Sequence, residues 1–366
     1  MAQKKQNQNS SENSTAIQAG RDIHYGLSAS EVQEMLRQHE EKLNTKYALA
    51  DTKATSQLGK LYDLLTPLLL SDPSFVEAYS QPDFIANTRE AQESAIRSDD
   101  VNDLELLSSM LIQRAKVSDP TPRHKMATRR AIKVVGQLSQ KDLDTLTVLW
   151  LGLNMTPAAN RLDAILTHTE GYFAPFVESG LQASKTWISD LQITDCITVG
   201  SAGIGHLKGF SELFGQNKYP GFFCIGMSVE ECATAKNMLK KVKPGFENLI
   251  ETHHFEDNRF KLFGTNEHNF REIISKNKPK LTKLQHEKIE EVVKLNNYST
   301  MMKDYNKQVE DVLSKYPSLN ATSAWWRSGV LPVIDITPVG MVLAHSNFKR
   351  LLPKVNAPSL ADLIGS

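Results

Sequence analysis

The sequence predicts a mainly α-helical protein: a helical bundle, then an α+β C-terminal part, with a short β-arch segment near the N-terminus. Apolar residues recur three or four positions apart through most of the first 155 residues, which is the period of an amphipathic helix. Ser, Thr or Asp residues followed by Pro mark several helix starts. After residue 156, β-favouring residues combine with glycines, which predicts short strands among the helices.

Composition limits the class of protein. The 366 residues are 40% hydrophobic and 23% charged, as in ordinary globular proteins, and allow about two domains. Lys plus Arg and Asp plus Glu both number 42, so no net charge steers the chain toward nucleic acid or anionic membranes. Cys196, Cys224 and Cys232 are too few for a disulfide framework and are expected to be small buried residues. With neither a secretory signal nor a membrane-spanning run, we expect a cytoplasmic protein.

The N-terminal segment, residues 1–28, is predicted to be a disordered tail that carries a self-association motif. Residues 13–27 alternate apolar and polar side chains, and Gly20-Arg21-Asp22 supplies a bend between two short arms. Such short arms are unstable alone but become stable when copies stack and pair their backbones. The residues predicted to mediate this self-association are Ile17, Gln18, Ala19, Gly20, Ile23 and Tyr25.

Residues 29–70 are predicted to form one long linking helix. Ser28 and Ser30 are alternative starts, because Glu31 and Gln33 complete a capping box with each. Pro67 is expected to end or kink the helix. The helix carries a narrow apolar stripe, hereafter the apolar stripe: Val32, Leu36, Leu43, Tyr47, Ala50, Ala54, Leu58, Leu61 and Leu65. It fits either a partner helix or the protein's own domain.

Residues 71–155 are predicted to form an all-α domain of about five helices. "SDPSFVEAYS" and "QPDFIANTREAQESAIR" place a proline at the start of each helix. Three further helices are expected from "DDVNDLELLSSMLIQRAKV", "PRHKMATRRAIKVVGQL" and "SQKDLDTLTVLWLGL". In the last, Ser139 and Asp142 have the spacing of a capping box.

Residues 156–366 are predicted to form an α-rich domain with a winged-helix-like ending. "PAANRLDAIL" and "YFAPFVESGLQASKTWISDLQ" predict helix, whereas "CITVGSAGIGH" and "GFFCIGMS" are short strands or buried loops. Near the C-terminus we expect a turn at Ser328-Gly329, a strand at Val333–Ile336, and a helix capped by Thr337 with Pro338 first. The packed face of that helix is predicted to hold Val339, Val342, Leu343 and Ser346.

A search for catalytic and metal-binding motifs finds weak candidates only. Gly200, Gly203 and Gly205 lack the G-x-G-x-x-G order of dinucleotide sites, and no Lys-Ser/Thr follows them. Neighbouring His253 and His254 would point in opposite directions on an extended chain, which favours a solvated loop. They are, with His268, the weak metal candidates. The sequence therefore predicts no catalytic residue, no metal site and no cofactor.

A basic cluster lies in "RHKMATRRAIK", which contains no acidic residue. On a helix it could contact phosphates, although a solvated surface or pairing with acidic neighbours is favoured. The candidate contact residues are Arg123, Lys125, Arg129, Arg130 and Lys133.

The N-terminal segment also resembles known motifs. Ile17-Gln18-Ala19-Gly20 is similar to the [Ile/Val]-Gln-x-Gly core of RHIM-like bacterial amyloid signalling motifs. The phrase 13–23 resembles the N-x-T-x-x-Q-A-G-x-D-I tails of bacterial conflict and phage-defence proteins. The helices that follow and "ITPVGMVLAHSN" resemble a bacterial family related to Abi-alpha-type abortive-infection proteins. The resemblance implies defence and assembly, and it assigns no catalytic residues.

We therefore expect a self-assembling cytoplasmic bacterial protein, a sensor or adaptor in anti-phage defence and more a binding protein than an enzyme. Its expected partners are further copies of itself and a phage protein or a downstream effector. Two alternatives stay open: a winged-helix nucleic-acid binder, and an enzyme that uses the Gly200–Gly205 loop or the His253/His254 pair.

Overall fold

A computed structural model describes residues 29–157, 159–182, 186–200, 209–329 and 334–365. These residues form seventeen α-helices and four three-residue strands, which confirms a mainly helical protein. The helices up to residue 193 are α1 Ala29–Ser71, α2 Pro73–Ala78, α3 Pro82–Arg97, α4 Val101–Ala115, α5 Pro122–Val134, α6 Gln140–Asn154, α7 Leu162–Val177 and α8 Thr186–Ile193.

The later part of the chain alternates helices with short strands. Its helices are α9 Phe210–Glu212, α10 Pro220–Phe223, α11 Val229–Val242, α12 Glu267–Asn277, α13 Lys283–Asn296, α14 Tyr305–Leu313, α15 Pro317–Gly329, α16 Pro338–Leu351 and α17 Leu360–Gly365. The strands are β1 Ile197–Val199, β2 Ile250–Thr252, β3 Phe260–Leu262 and β4 Ile334–Ile336. A π-helical stretch follows α9 directly at Leu213–Lys218.

The chain divides into two compact units, Met1–Ser56 and Gln57–Ser366, so the boundary falls within α1. The boundary predicted near residue 155 lies inside the second unit. One apolar core there includes Leu104 of α4, Trp150 of α6 and Leu343 of α16.

Several helix starts have the predicted caps. Asp72 accepts a hydrogen bond from the Ser74 N–H at 3.0 Å at the start of α2. Ser139 and Asp142 form the predicted capping box at the start of α6. Thr337 caps α16 by accepting from the Gly340 N–H at 3.1 Å, with Pro338 in the first turn. Each cap satisfies a backbone donor that the helix itself leaves unpaired.

Helix α16 lies at the centre of the second unit and packs against α4, α5 and α6. The four residues predicted for its packed face are all buried. Strand β4 leads into α16 and pairs antiparallel with β1, with Ile336 opposite Ile197. The strand predicted at Val333–Ile336 is thus observed over Ile334–Ile336. A smaller core surrounds α11, α13 and the antiparallel pair β2–β3.

Pro67 lies inside α1, which continues to Ser71, so this proline does not end the helix. Two local expectations were wrong. Ser328 and Gly329 lie in the last turn of α15, not in a separate turn. "YFAPFVESGLQASKTWISDLQ" is not one helix, because α7 ends at Val177 and Gly180 takes a positive φ of 81°. A left-handed residue cannot continue a right-handed helix.

The two segments predicted as strands or buried loops differ from each other. "CITVGSAGIGH" contributes β1, whereas "GFFCIGMS" begins within α10 and continues as extended chain. In the latter, Cys224 forms an isolated bridge with Met301 and Met227 with Phe260. Apolar β-favouring residues were a correct signal for burial but could not separate a short helical turn from a strand.

Candidate functional site

The N-terminal half of α1 is the most conspicuous exposed apolar surface. Every side chain from residue 33 to residue 53 is exposed. On the apolar stripe, Leu36 is 59% exposed and Tyr47 is 70% exposed, although both are large apolar side chains. The polar side chains around them include Arg37, whose guanidinium binds Glu34 and Glu41 of the same helix.

The same stripe is buried further along the helix. Leu61 and Leu65 belong to the core of the second unit and are 1% and 2% exposed. Leu58 is partly buried. Amphipathic helices derive most of their stability from packing of the apolar face. Other residues of the chain therefore cover the apolar stripe from about residue 58 onward, whereas the stripe is exposed between residues 36 and 50.

The predicted self-association residues of the N-terminal segment lie outside the described residues. This applies to Ile17, Gln18, Ala19, Gly20, Ile23 and Tyr25, and to the β-arch they were expected to form. The part of the assembly prediction that the structure does describe is the helix that follows them.

The basic cluster lies on α5, as predicted, but acidic side chains accompany most of it. Arg129 and Lys133 approach Glu90 of α3 at 2.8 and 3.3 Å, and these cations, Arg129 first, hold the pKa of Glu90 below its usual value. Arg130 pairs with Asp195 at 2.6 Å. These contacts reduce the positive charge that could attract a phosphate.

The remaining two cations lie near the N-terminal end of α5. Lys125 lies 4.0 Å from Asp83, and Arg123 is exposed in the first turn of α5. The structure thus gives the cluster the arrangement that the sequence favoured, a helix surface paired with acidic neighbours.

The two neighbouring histidines have different environments. His253 is buried, and its Nδ1 accepts a hydrogen bond from the Phe255 N–H at 3.2 Å, which leaves Nε2 to donate to the Cys224 carbonyl at 3.0 Å. Burial lowers the pKa of His253 to about 4, so the ring is neutral at pH 7. His254 is exposed and stacks on Phe222 with ring centres 5.3 Å apart.

Neither ring is arranged for a metal. Both nitrogens of His253 are used within the protein, and His268 lies in a separate helix, α12. In the described part of the chain, no group of three or more His, Cys, Asp or Glu side chains could hold a metal ion.

The glycine-rich candidate is only partly described. Gly200 follows β1 directly, and Gly203 and Gly205 lie in 201–208, outside the described residues. The three cysteines are free and buried, as predicted.

A cleft of about 690 Å³ is a feature that the sequence did not reveal. Its polar lining comes from distant segments of the chain: Arg161, Asp163, Glu251, His254, Lys315 and Tyr316. Arg161 pairs with Asp163 at 3.2 Å, and Glu251 pairs with the buried Lys261. These two carboxylates have cationic partners, so they add no unpaired negative charge to the cleft. No local motif marks these residues, because the fold alone brings them together.

None of the described helices is long and apolar enough to cross a membrane. A protein-family model matches residues 26–359, and the description of this family states no activity. No curated protein and no solved structure matches the chain.

Proposed function

We propose that this chain, which belongs to the family whose model matches it, is a self-assembling protein of the bacterial cytoplasm that acts in anti-phage defence. Assembly uses the N-terminal segment and the exposed half of α1. The second unit acts as the sensor or adaptor that contacts a phage protein or a downstream effector. The defence role rests on the resemblance of residues 13–23 to defence-protein tails, and the assembly rests on the surface of α1.

The exposed half of the apolar stripe is the observation that carries this proposal. Leu36, Leu43 and Tyr47 share one face of α1 and are 59%, 38% and 70% exposed. Covering one such side chain contributes about 1.5–3 kcal/mol, so a stripe of this length favours association. Contiguous exposed apolar surface of this kind marks interaction sites.

The N-terminal segment is proposed to reinforce this contact. Two arms of the length predicted for residues 13–27 would require other copies to complete their backbone hydrogen bonds. Arg21 and Asp22 would stack on their own equivalents in a parallel, in-register fibril, and like charges repel. This favours a finite ring or bundle as readily as a fibril.

The winged-helix-like ending is proposed to make protein contacts and not to read DNA. Residues Val342–Phe348 of α16 are all buried. A recognition helix must present its side chains to the major groove, which a buried helix cannot do. Full-length protein should therefore show no salt-sensitive affinity for duplex DNA even at low ionic strength.

Light scattering coupled to size-exclusion chromatography tests the assembly. The measured mass of the full-length protein should exceed that of a monomer. A Δ1–28 variant should form smaller species. Leu43→Glu should weaken the contact between the α1 helices of different copies. Thr45→Glu is the matched control, because it adds the same charge on the opposite side of α1. Monomer masses for all four proteins would exclude self-assembly.

A further inference from the structure

We propose that the exposed stripe of α1 binds the same stripe of a second copy in antiparallel orientation, with Leu43 at the centre. This inference rests on the self-assembly proposed above and names its partner and geometry. Three properties of residues 31–54 support it: an 11-residue repeat, the sizes of the facing side chains and the distribution of charge.

The apolar stripe repeats every 11 residues. The members of the stripe, together with His39 on the same face, form three overlapping series: Leu36, Tyr47, Leu58; His39, Ala50, Leu61; and Leu43, Ala54, Leu65. Eleven residues complete slightly more than three turns of an α-helix, so the stripe runs nearly straight along the helix. An 11-residue repeat is the period of helices that pair with little or right-handed supercoiling. The stripe is therefore suited to a long contact with another helix.

Side-chain sizes favour the antiparallel arrangement. With Leu43 at the centre, Leu36 faces Ala50 of the second copy, and His39 faces Tyr47. Leu43 then meets Leu43 of the second copy, and each of the other large side chains meets a smaller one or a flat ring, which suits close packing at about 8–10 Å between helix axes. In a parallel pair, Tyr47 would face Tyr47 and Ala50 would face Ala50. The two tyrosines would be crowded, and the two alanines would leave a void beside them.

Charge favours the same orientation. Residues 31–41 carry four glutamates and one arginine, a net charge of −3. Residues 42–53 carry three lysines and one aspartate, a net charge of +2. An antiparallel pair places the acidic half beside the basic half, with Glu40 near Lys46 of the partner helix. A parallel pair places like charges side by side, which costs free energy.

Spin labels distinguish the two orientations. Labels would be attached to the full-length chain at Gln33→Cys or, as the matched variant, at Asn44→Cys; both positions are exposed. The native thiols are buried, so the unsubstituted chain serves as the labelling control. In the antiparallel pair, two labels at 44 are offset by about 3 Å along the axis and two labels at 33 by about 30 Å.

Strong dipolar broadening at 44 with a long distance at 33 is the expected result. Short distances at both positions would overturn the antiparallel orientation but would preserve the self-assembly. A monomer mass with no dipolar coupling at either position would overturn the proposed function itself. An oligomer without coupling would show that other residues hold the copies together, and the inference would be wrong.

Charge reversal gives a second readout. Glu40→Lys should weaken association about fivefold, because it loses two weak ion pairs per dimer, and Glu40→Lys with Lys46→Glu should restore it. In a parallel pair Glu40 faces Glu40 and Lys46 faces Lys46, so Glu40→Lys exchanges one like-charge pair for another and would not weaken association. Failure of the recovery would contradict the antiparallel geometry.

Discussion

Gly340 shows how one residue decides the packing of two elements. It lies in the first turn of α16, where a Cβ atom would come within 2.1 Å of the Cys196 carbonyl oxygen and 2.9 Å of the Ile336 side chain. Backbone atoms cannot move aside as a flexible side chain can. The close approach of α16 to the β1 segment therefore depends on the absence of a side chain at this position.

Gly340→Ala should lower the free energy of unfolding by about 1–3 kcal/mol, because the added methyl group forces the helix away from β1. Urea denaturation measures the change. Gly171→Ala is the control: Gly171 is exposed within α7 with no atom within 4 Å of a Cβ, so alanine should stabilise by about 0.5–1 kcal/mol. Equal effects at both sites would contradict the packing explanation.

Two buried histidines should make stability depend on pH. Burial lowers the pKa of His345, beside Trp150, to about 4, and it lowers the pKa of His253 to about the same value. The folded state therefore resists protonation that the unfolded chain accepts near pH 6.5. Stability should be insensitive to these groups above pH 6.5 and should fall as the pH drops from 6.5 to 4.

The full loss below pH 4 is about 3 kcal/mol for each histidine. Thermal unfolding across this pH range measures it, and His345→Gln should reduce the pH dependence. An unchanged profile in that variant would show that His345 does not contribute.

At the scale of elements, the sequence predicted helix starts well because caps are local. The Ser139–Asp142 box and Thr337-Pro338 act within one turn of the chain. Burial along α1 was not predictable in the same way. Leu36 and Leu61 belong to one stripe and have the same chemistry, yet only Leu61 meets the core of the second unit. Which part of a stripe is covered depends on residues far away in the sequence.

The same limit applies to the sites. The β1–β4 pair joins Ile197 to Ile336, and the cleft joins segments around residues 161, 254 and 315. No periodic pattern in the sequence predicts such contacts between distant residues. The basic cluster on α5 was visible in the sequence, whereas its acidic partners on α3 and beside β1 became known only from the fold.

A largely buried ion pair joins α3 and α4. Arg114 has no exposed side-chain surface, and its guanidinium lies 2.5 Å from Asp83, which is 25% exposed. Asp83→Ala should destabilise the protein by about 2–4 kcal/mol, because it leaves a buried cation without its anion. Glu93→Ala, which removes an exposed pair with Arg97 on the same helix, should change stability by less than about 0.5 kcal/mol. Chemical denaturation of both variants compares the two, and similar losses would contradict the burial argument.

At the scale of the whole molecule, the proposed assembly surface and the apolar core lie in different stretches of the chain. Residues 57–366 form one compact unit whose core extends from Leu61 to Ile364. Residues 33–53 are exposed and contribute nothing to that core. The protein should therefore be able to lose its assembly surface without losing its fold.

A Δ1–56 variant should keep its helical circular dichroism and cooperative unfolding but should be monomeric in light scattering. A Δ1–65 variant is the control: it also removes Leu61 and Leu65, which are buried, and should lose more than about 3 kcal/mol of stability. If Δ1–56 unfolds as easily as Δ1–65, residues 29–56 are part of the folding unit after all.

The central position of α16 has a consequence for synthesis on the ribosome. This helix, residues 338–351, fills the middle of a core whose first members precede it by more than 200 residues. The helices made earlier must keep their apolar sides uncovered until residues 338–351 have been translated. Chains that terminate before α16 therefore lack the helix that closes the core and are expected to be cleared by proteases, so only copies that contain α16 would accumulate.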